Sequence, residues 1–194
     1  MPAAHAHATR EAGLPRPASV GFVMVAAFLA TVTLYAHLRE LNHISSLRTA
    51  AIGLAPAWHF LDTEQRARHD AILAARAGDP WQYRLLPALV LEGLKRTLPR
   101  VALPELFVAF RWSVDCALFA TAAWYLTSLG FAPPLVAAGL AALGWSVCFS
   151  GYNAGLAFDT YLDVAFSLAA AALLARGRVG AVVPLAWLAA ANRE

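Results

Sequence analysis

Residues 116–158 read CALFATAAWYLTSLGFAPPLVAAGLAALGWSVCFSGYNAGLAF, 43 positions without one Asp, Glu, Lys or Arg. A helix of about 20 apolar residues crosses the ~30 Å hydrocarbon layer of a bilayer. The stretch is therefore long enough for two crossings, and LGFAPP supplies a turn between them. A water-soluble fold has no use for so long an uncharged run. The rest of the chain agrees: 60% of its 194 residues are hydrophobic and 14% are charged, with a mean hydropathy of +0.57, whereas about 25% of residues are charged in soluble domains. The expected fold class is all-α: a polytopic integral membrane protein with about five transmembrane helices and a long helical extracytoplasmic loop after the first.

Working outward, residues 1–18 are rich in Ala, Pro and His and read as a disordered cytoplasmic tail. Between Arg16 and Arg39 stand 22 residues without a charge, which places a first span at about 20–38. A cleaved signal peptide is the rival reading, but it would have an apolar core of ~7–15 residues and a small-x-small cleavage site; an uncleaved anchor fits better. Residues 39–105 hold nine of the fifteen Lys and Arg residues and form the long connection. Within it, Asp62 with Gln65 reads as a capping box opening a helix over 63–77, closed by Gly78, and 85–98 reads as an interfacial helix too short to span. Further spans are expected at about 106–129, 135–150, 160–174 and 179–193, so that 19–194 forms one membrane domain. The last span is barely long enough to cross, and the chain is expected to be the N-terminal portion of a longer protein.

The net charge of +3 and pI near 9.2 come from basic residues spread over one loop and several helix ends, so no nucleic-acid partner is expected. Cys116 and Cys148 lie in apolar segments without CxxC or Cys/His spacing, which points away from redox and metal-cluster chemistry. Short loops decide orientation by the positive-inside rule. Arg10 and Arg16 before the first span, and Arg176 and Arg178 after the fourth, then belong in the cytoplasm. This puts 39–105, the 151–159 loop and the terminal Asn192-Arg193-Glu194 together on the outer face.

The unusual polar residues gather on that face. Arg111 and Asp115 are spaced i,i+4 and either neutralise one another to permit insertion or face an internal cavity. Asp159 and Asp163, also i,i+4, would hold a divalent cation given further oxygen ligands, or act as an acid/base couple; alternatively Thr160 and Asp163 cap a helix. Arg193 beside Glu194 suits phosphate recognition or anchors a helix end. His37, His43, His59 and His69 show no metal-type spacing and read as surface or interfacial residues. In GDPWQYRLLP (78–87), Asp79-Pro80 forms a turn, Trp81 and Tyr83 suit the headgroup layer, and Arg84 stands at the height of lipid phosphates.

Three motifs in this order, D-P-x-x-Y-R-x-L-P at 79–87, spaced Asp residues at 159 and 163, and N-R-E at 192–194, resemble the bacterial inner-membrane proteins related to GT-C glycosyltransferases. The resemblance implies an all-helical fold in the inner membrane whose large first extracytoplasmic loop carries an acidic catalytic residue, and a lipid-linked donor, a polyprenyl-phosphate sugar; the cytoplasmic N-terminus follows from the charge of the short loops. A carboxylate would deprotonate an acceptor hydroxyl while a cation, arginine or metal, stabilises the departing phosphate. On that reading Asp79 is the candidate base, with Asp62 and Asp70 behind it, and Arg84 and Arg193 hold phosphate. Tyr83, Arg111, Asp115, Asp159, Asp163 and Glu194 complete the candidate substrate contacts. The competing reading is a non-enzymatic membrane protein, a transporter fragment or assembly subunit, which would spread polar groups through the bilayer depth.

Overall fold

The structure is a computed structural model and describes residues 20–49, 55–78, 85–149 and 156–192. Every regular element among them is helical. The long helices are α1 (Val20–Thr49) and α5 (Leu103–Ser128). Within α1 the 25 residues Gly21–Ser45, and in α5 all 26, are long and apolar enough to cross a membrane. At ~1.5 Å per residue each reaches well past the ~30 Å layer. The later expected spans coincide with α6 (Pro133–Cys148), α7 (Asp159–Ala175) and α8 (Val182–Ala191), of 16, 17 and 10 residues, the last preceded by a 3-10 turn at Val179–Ala181.

Three boundaries differ from expectation. Helix α1 does not stop at Leu38 but continues to Thr49, because no Gly or Pro stands between Gly21 and Gly53 to end it. Helix α5 starts at Leu103, before the expected 106, since Pro104 fits a first turn and the Glu105 carboxylate accepts the Ala102 N–H at 3.2 Å. The capping box at Asp62 does not form. Helix α2 (Ala55–Phe60) runs without a break through a π-helical turn (Leu61–Gln65) into α3 (Arg66–Leu73). Asp62 therefore lies inside a continuous helix and accepts a hydrogen bond from Arg66 Nη2 at 2.5 Å. The helix then ends at Ala74 and Ala75, the latter at φ +53°, ahead of Gly78. Helix α4 (Leu85–Thr97) follows.

Packing fixes the helix directions. Along α5 and α7, Phe110 meets Phe158, Val114 and Leu118 share a cluster with Tyr161 and Ala165, and Ser128 bonds Arg176. The steps advance together, so the two helices are parallel. Helix α1 runs against both: its early residues Ala26 and Ala30 pack on Phe119, Ala122 and Ala123, and its later Leu34 and Leu41 pack on Leu103, Leu106 and Phe107. Helix α6 runs with α1, from Val136 beside Ala26 to the Val147 carbonyl beside His37. Helix α8 runs against α7, bringing Asn192 to Asp159 and Asp163. Consecutive long elements thus alternate up and down. Both α5 and α7 end the same way: Gly130 and Gly177 take φ of +82° and +69°, and the crossed bonds Phe131 to Leu126 and Arg178 to Leu173 close Schellman turns.

Helices α2 to α4 cover one end of this bundle. Ala57, Leu61 and Leu91 close over Leu34, Leu41, Leu103 and Phe107, with Leu156 and Phe158 from the approach to α7. The cap, the start of α5, the start of α7 and the end of α8 consequently lie together, and Arg176 lies at the opposite end beside Ser128 and Trp124.

Candidate functional site

Two polar assemblies and a cleft occupy the capped end. The first is centred on Arg111, 1% exposed, and Asp115, 0% exposed. Arg111 Nε donates to Asp115 Oδ1 at 3.0 Å, Nη2 donates to His37 Nδ1 at 3.0 Å, and Nη1 donates to the Ala157 carbonyl. Its plane rests on the Tyr161 ring, 3.6 Å from the centroid. Thr33 Oγ1 donates to Asp115 Oδ2 at 3.2 Å. His37 Nε2 lies 2.7 Å from the Val147 carbonyl, which can only accept. The proton is therefore on Nε2, and Nδ1 is left to accept from Arg111. The network ties α1, α5, α6 and α7 together, and both carboxylate oxygens of Asp115 are engaged.

The second assembly joins α7 to α8. Asn192, fully buried, donates through Nδ2 to the Asp159 carbonyl and to Asp163 Oδ1, each at 2.9 Å. Thr160 does not cap the helix with Asp163: α7 begins at Asp159, and Thr160 Oγ1 donates to the Asp159 carboxylate at 3.3 Å. Among the described residues, no group of three or more His, Cys, Asp or Glu is placed to hold a metal ion.

The cleft lies under the cap. Gln65, Arg68, His69 and Ile72 of the α2–α3 helix, Pro87, Ala88 and Leu91 of α4, Phe107 of α5 and Leu156, Phe158 and Asp159 at the approach to α7 surround about 420 Å³, part of it open to the surface. Burial pushes the Arg68 guanidinium below its ordinary value, while the nearby Glu64 and Asp159 carboxylates oppose that shift. His69 is 4% exposed, sets its ring edge-on to Phe107, and donates from Nε2 to Glu92 Oε1 at 3.2 Å. That hydrogen bond is the main reason the Glu92 carboxyl sits below the usual carboxylate range; desolvation opposes it and Lys95, at 3.8 Å, adds to it. Gln65, 5% exposed, donates from Nε2 to the Leu156 carbonyl at 3.3 Å. Its Oε1 has no partner among the described residues, a state that costs about 1–3 kcal/mol when an acceptor is buried.

The chain matches no protein-family model, and no curated protein or solved structure matches it.

The sequence-derived candidates are distributed unevenly. Asp159 lines the cleft, and Asp163 is linked to it through Asn192. Arg111 and Asp115 are brought together but lie within the bundle, away from the cleft lining. Asp62 and Asp70 are exposed; Asp62 pairs with Arg66, and the Asp70 carbonyl caps the end of α3. Asp79, Tyr83, Arg84, Arg193 and Glu194 lie outside the described residues.

The histidines need correction: His69 is buried against the cleft, and His37, half-buried, is part of the Arg111 network. The spacing of His37 and Arg111, 74 positions apart, gives no sequence signal for their contact. For Gln65 and Arg68 the available signal was their place within a polar helix between two apolar ones.

Proposed function

We propose that the chain is a multi-span membrane protein of GT-C type that uses a polyprenyl-phosphate-linked sugar at the extracytoplasmic face. The observation that carries this reading is the sorting of polar groups by end. The alternating helices gather the cap, its cleft and the Asp159–Asp163–Asn192 assembly at one end, with Arg176 at the other. Positive-inside reasoning makes the Arg176 end cytoplasmic. Five crossings follow if α6, α7 and α8 span alongside α1 and α5. Exposed Met24, Phe28, Trp145 and Trp187 on the bundle perimeter, between 66% and 75% accessible, suit lipid contact better than water.

In this reading a cleft with an apolar floor and a few convergent polar groups accommodates the junction between an apolar chain and its polar head. The resemblance gives Asp79 the role of base, and Arg84 and Arg193 that of phosphate contacts. Arg68 is a further cation beside the same space. Arg111 and Asp115 are engaged with one another and with their neighbours, which favours a structural task for that pair.

The test is retention of lipid by the full chain extracted in mild detergent, read by native mass spectrometry after incubation with undecaprenyl phosphate or undecaprenol. The phosphate is expected to be retained at least roughly tenfold more, as a charge-assisted contact would give, and Arg84→Ala with Arg68→Ala is expected to erase the difference. Equal retention of the two lipids would contradict the reading.

A further inference from the structure

We propose that the Arg176 end of the bundle holds the headgroup of an anionic phospholipid, with Arg176 as the fixed contact to its phosphate and Arg178 as a second charge. The proposal rests on the multi-span part of the function proposed above and on none of its sugar chemistry.

Arg176 is held in place before any ligand arrives. Its Nε donates to Ser128 Oγ at 2.9 Å, and that hydroxyl in turn donates to the Trp124 carbonyl at 2.6 Å. The guanidinium carbon stands 5.5 Å from the centroid of the Trp124 ring, within cation–π range. One edge and one face of the fork are thus used, and neither Nη group has a hydrogen-bond partner among the described residues. Two donors fixed in one plane match the oxygens of a phosphate.

The bundle itself supplies no counter-charge there. At the capped end Arg66, Lys95 and Arg111 each have a carboxylate partner. Residues 20–39, 116–149 and 164–192, which contain every described residue of the Arg176 end, include no Asp or Glu. The starts of α1, α6 and α8 meet the ends of α5 and α7 here, so helix dipoles of both signs are present. Arg176 and the exposed Arg178, which follows Gly177 at φ +69°, leave that end positive.

The surroundings favour a lipid over a soluble anion. Leu129, Leu174 and Val179, close to Ser128 and the two arginines in sequence, are between 49% and 63% exposed. An acyl chain covers such apolar surface, whereas a free phosphate does not.

The experiment incubates the full chain, extracted in mild detergent, with palmitoyl-oleoyl phosphatidylglycerol or with phosphatidylcholine of the same acyl chains, and counts retained lipid by native mass spectrometry. The phosphatidylglycerol is expected to be retained roughly tenfold more, as two arginines acting on one net negative charge would give. Arg176→Gln is expected to remove that preference, and Ser128→Ala, which releases the guanidinium without changing its charge, to reduce it. Arg100→Gln, the same loss of charge between α4 and α5 at the capped end, is expected to leave it intact, as is excess inorganic phosphate. The proposal is overturned by equal retention of the two lipids, by a wild-type preference in Arg176→Gln or Ser128→Ala, by an equal fall in Arg100→Gln and Arg176→Gln, or by displacement of the lipid with phosphate. Retention of neither lipid would overturn it together with the multi-span reading. Should Arg176→Gln not fold, Arg178→Gln with Ser128→Ala decides. Undecaprenyl phosphate, Arg68 and Arg84 play no part here, so the two lipid tests fail separately.

Discussion

Inside the bundle every side of Arg111 is answered: a carboxylate, an imidazole nitrogen, a carbonyl and an aromatic face. Removing one partner of such a buried pair strands the other at a cost of about 3–5 kcal/mol, whereas replacing both with apolar groups is often neutral. Asp115→Ala is therefore expected to lower stability by that amount in detergent unfolding, and Arg111→Met with Asp115→Leu to recover most of it. A second residue-scale expectation concerns pH. The folded-state value of Glu92 is depressed, so its contribution is complete above the unfolded value near ~4.3 and is lost as pH falls through the lower folded value. An acid titration of unfolding midpoints should show that loss in the wild-type chain, and Glu92→Gln should flatten it. At this scale the sequence was least informative. The i,i+4 spacing announced Arg111 with Asp115, but Thr33, His37 and Tyr161 join them from helices whose proximity only folding creates.

At the scale of the element, small residues decide where helices touch. A Cβ placed on Gly144 would stand 3.2 Å from Leu29 Cδ2 and 3.8 Å from Phe119 Cε1, so α6 approaches α1 and α5 closely at that point. Gly144→Val is expected to cost about 1–3 kcal/mol by overpacking. Gly93, inside α4 with nothing within 4 Å of an added Cβ, offers the contrast: Gly93→Ala should stabilise by about 0.5–1 kcal/mol through helix propensity. Thermal unfolding of the two variants beside wild type checks both signs. The helices themselves were largely legible, since α4, α5, α6 and α7 fall within a few residues of their expected places and uncharged runs bounded by Gly, Pro and charge leave little freedom. The α2–α3 helix was misread at its start because Asp62 and Gln65 have capping spacing, yet the apolar Ala57 and Leu61 before them pack into the core and pull the helix back to Ala55. Local capping chemistry lost there to tertiary burial.

For the whole molecule, the consequence of alternating helices is that distance along the chain is no guide to position. Gln65 and Leu156, 91 residues apart, share a hydrogen bond, and Asn192 closes on Asp159. Loop charge leads to the expectation that these segments share one membrane face; the structure brings them to one end of the bundle, and the cleft between them arises from the fit of the cap to that end. On the proposed reading the cap and the Arg176 end lie on opposite sides of a membrane. It is tested most directly by placing single cysteines at Asp70, on the cap, and at Gly180, beyond α7, in a chain with Cys116→Ser and Cys148→Ser. Each is labelled with a membrane-impermeant maleimide in right-side-out and inverted vesicles. Labelling of position 70 only from the outside and of position 180 only from the inside is expected; labelling of both from the same side would contradict the account.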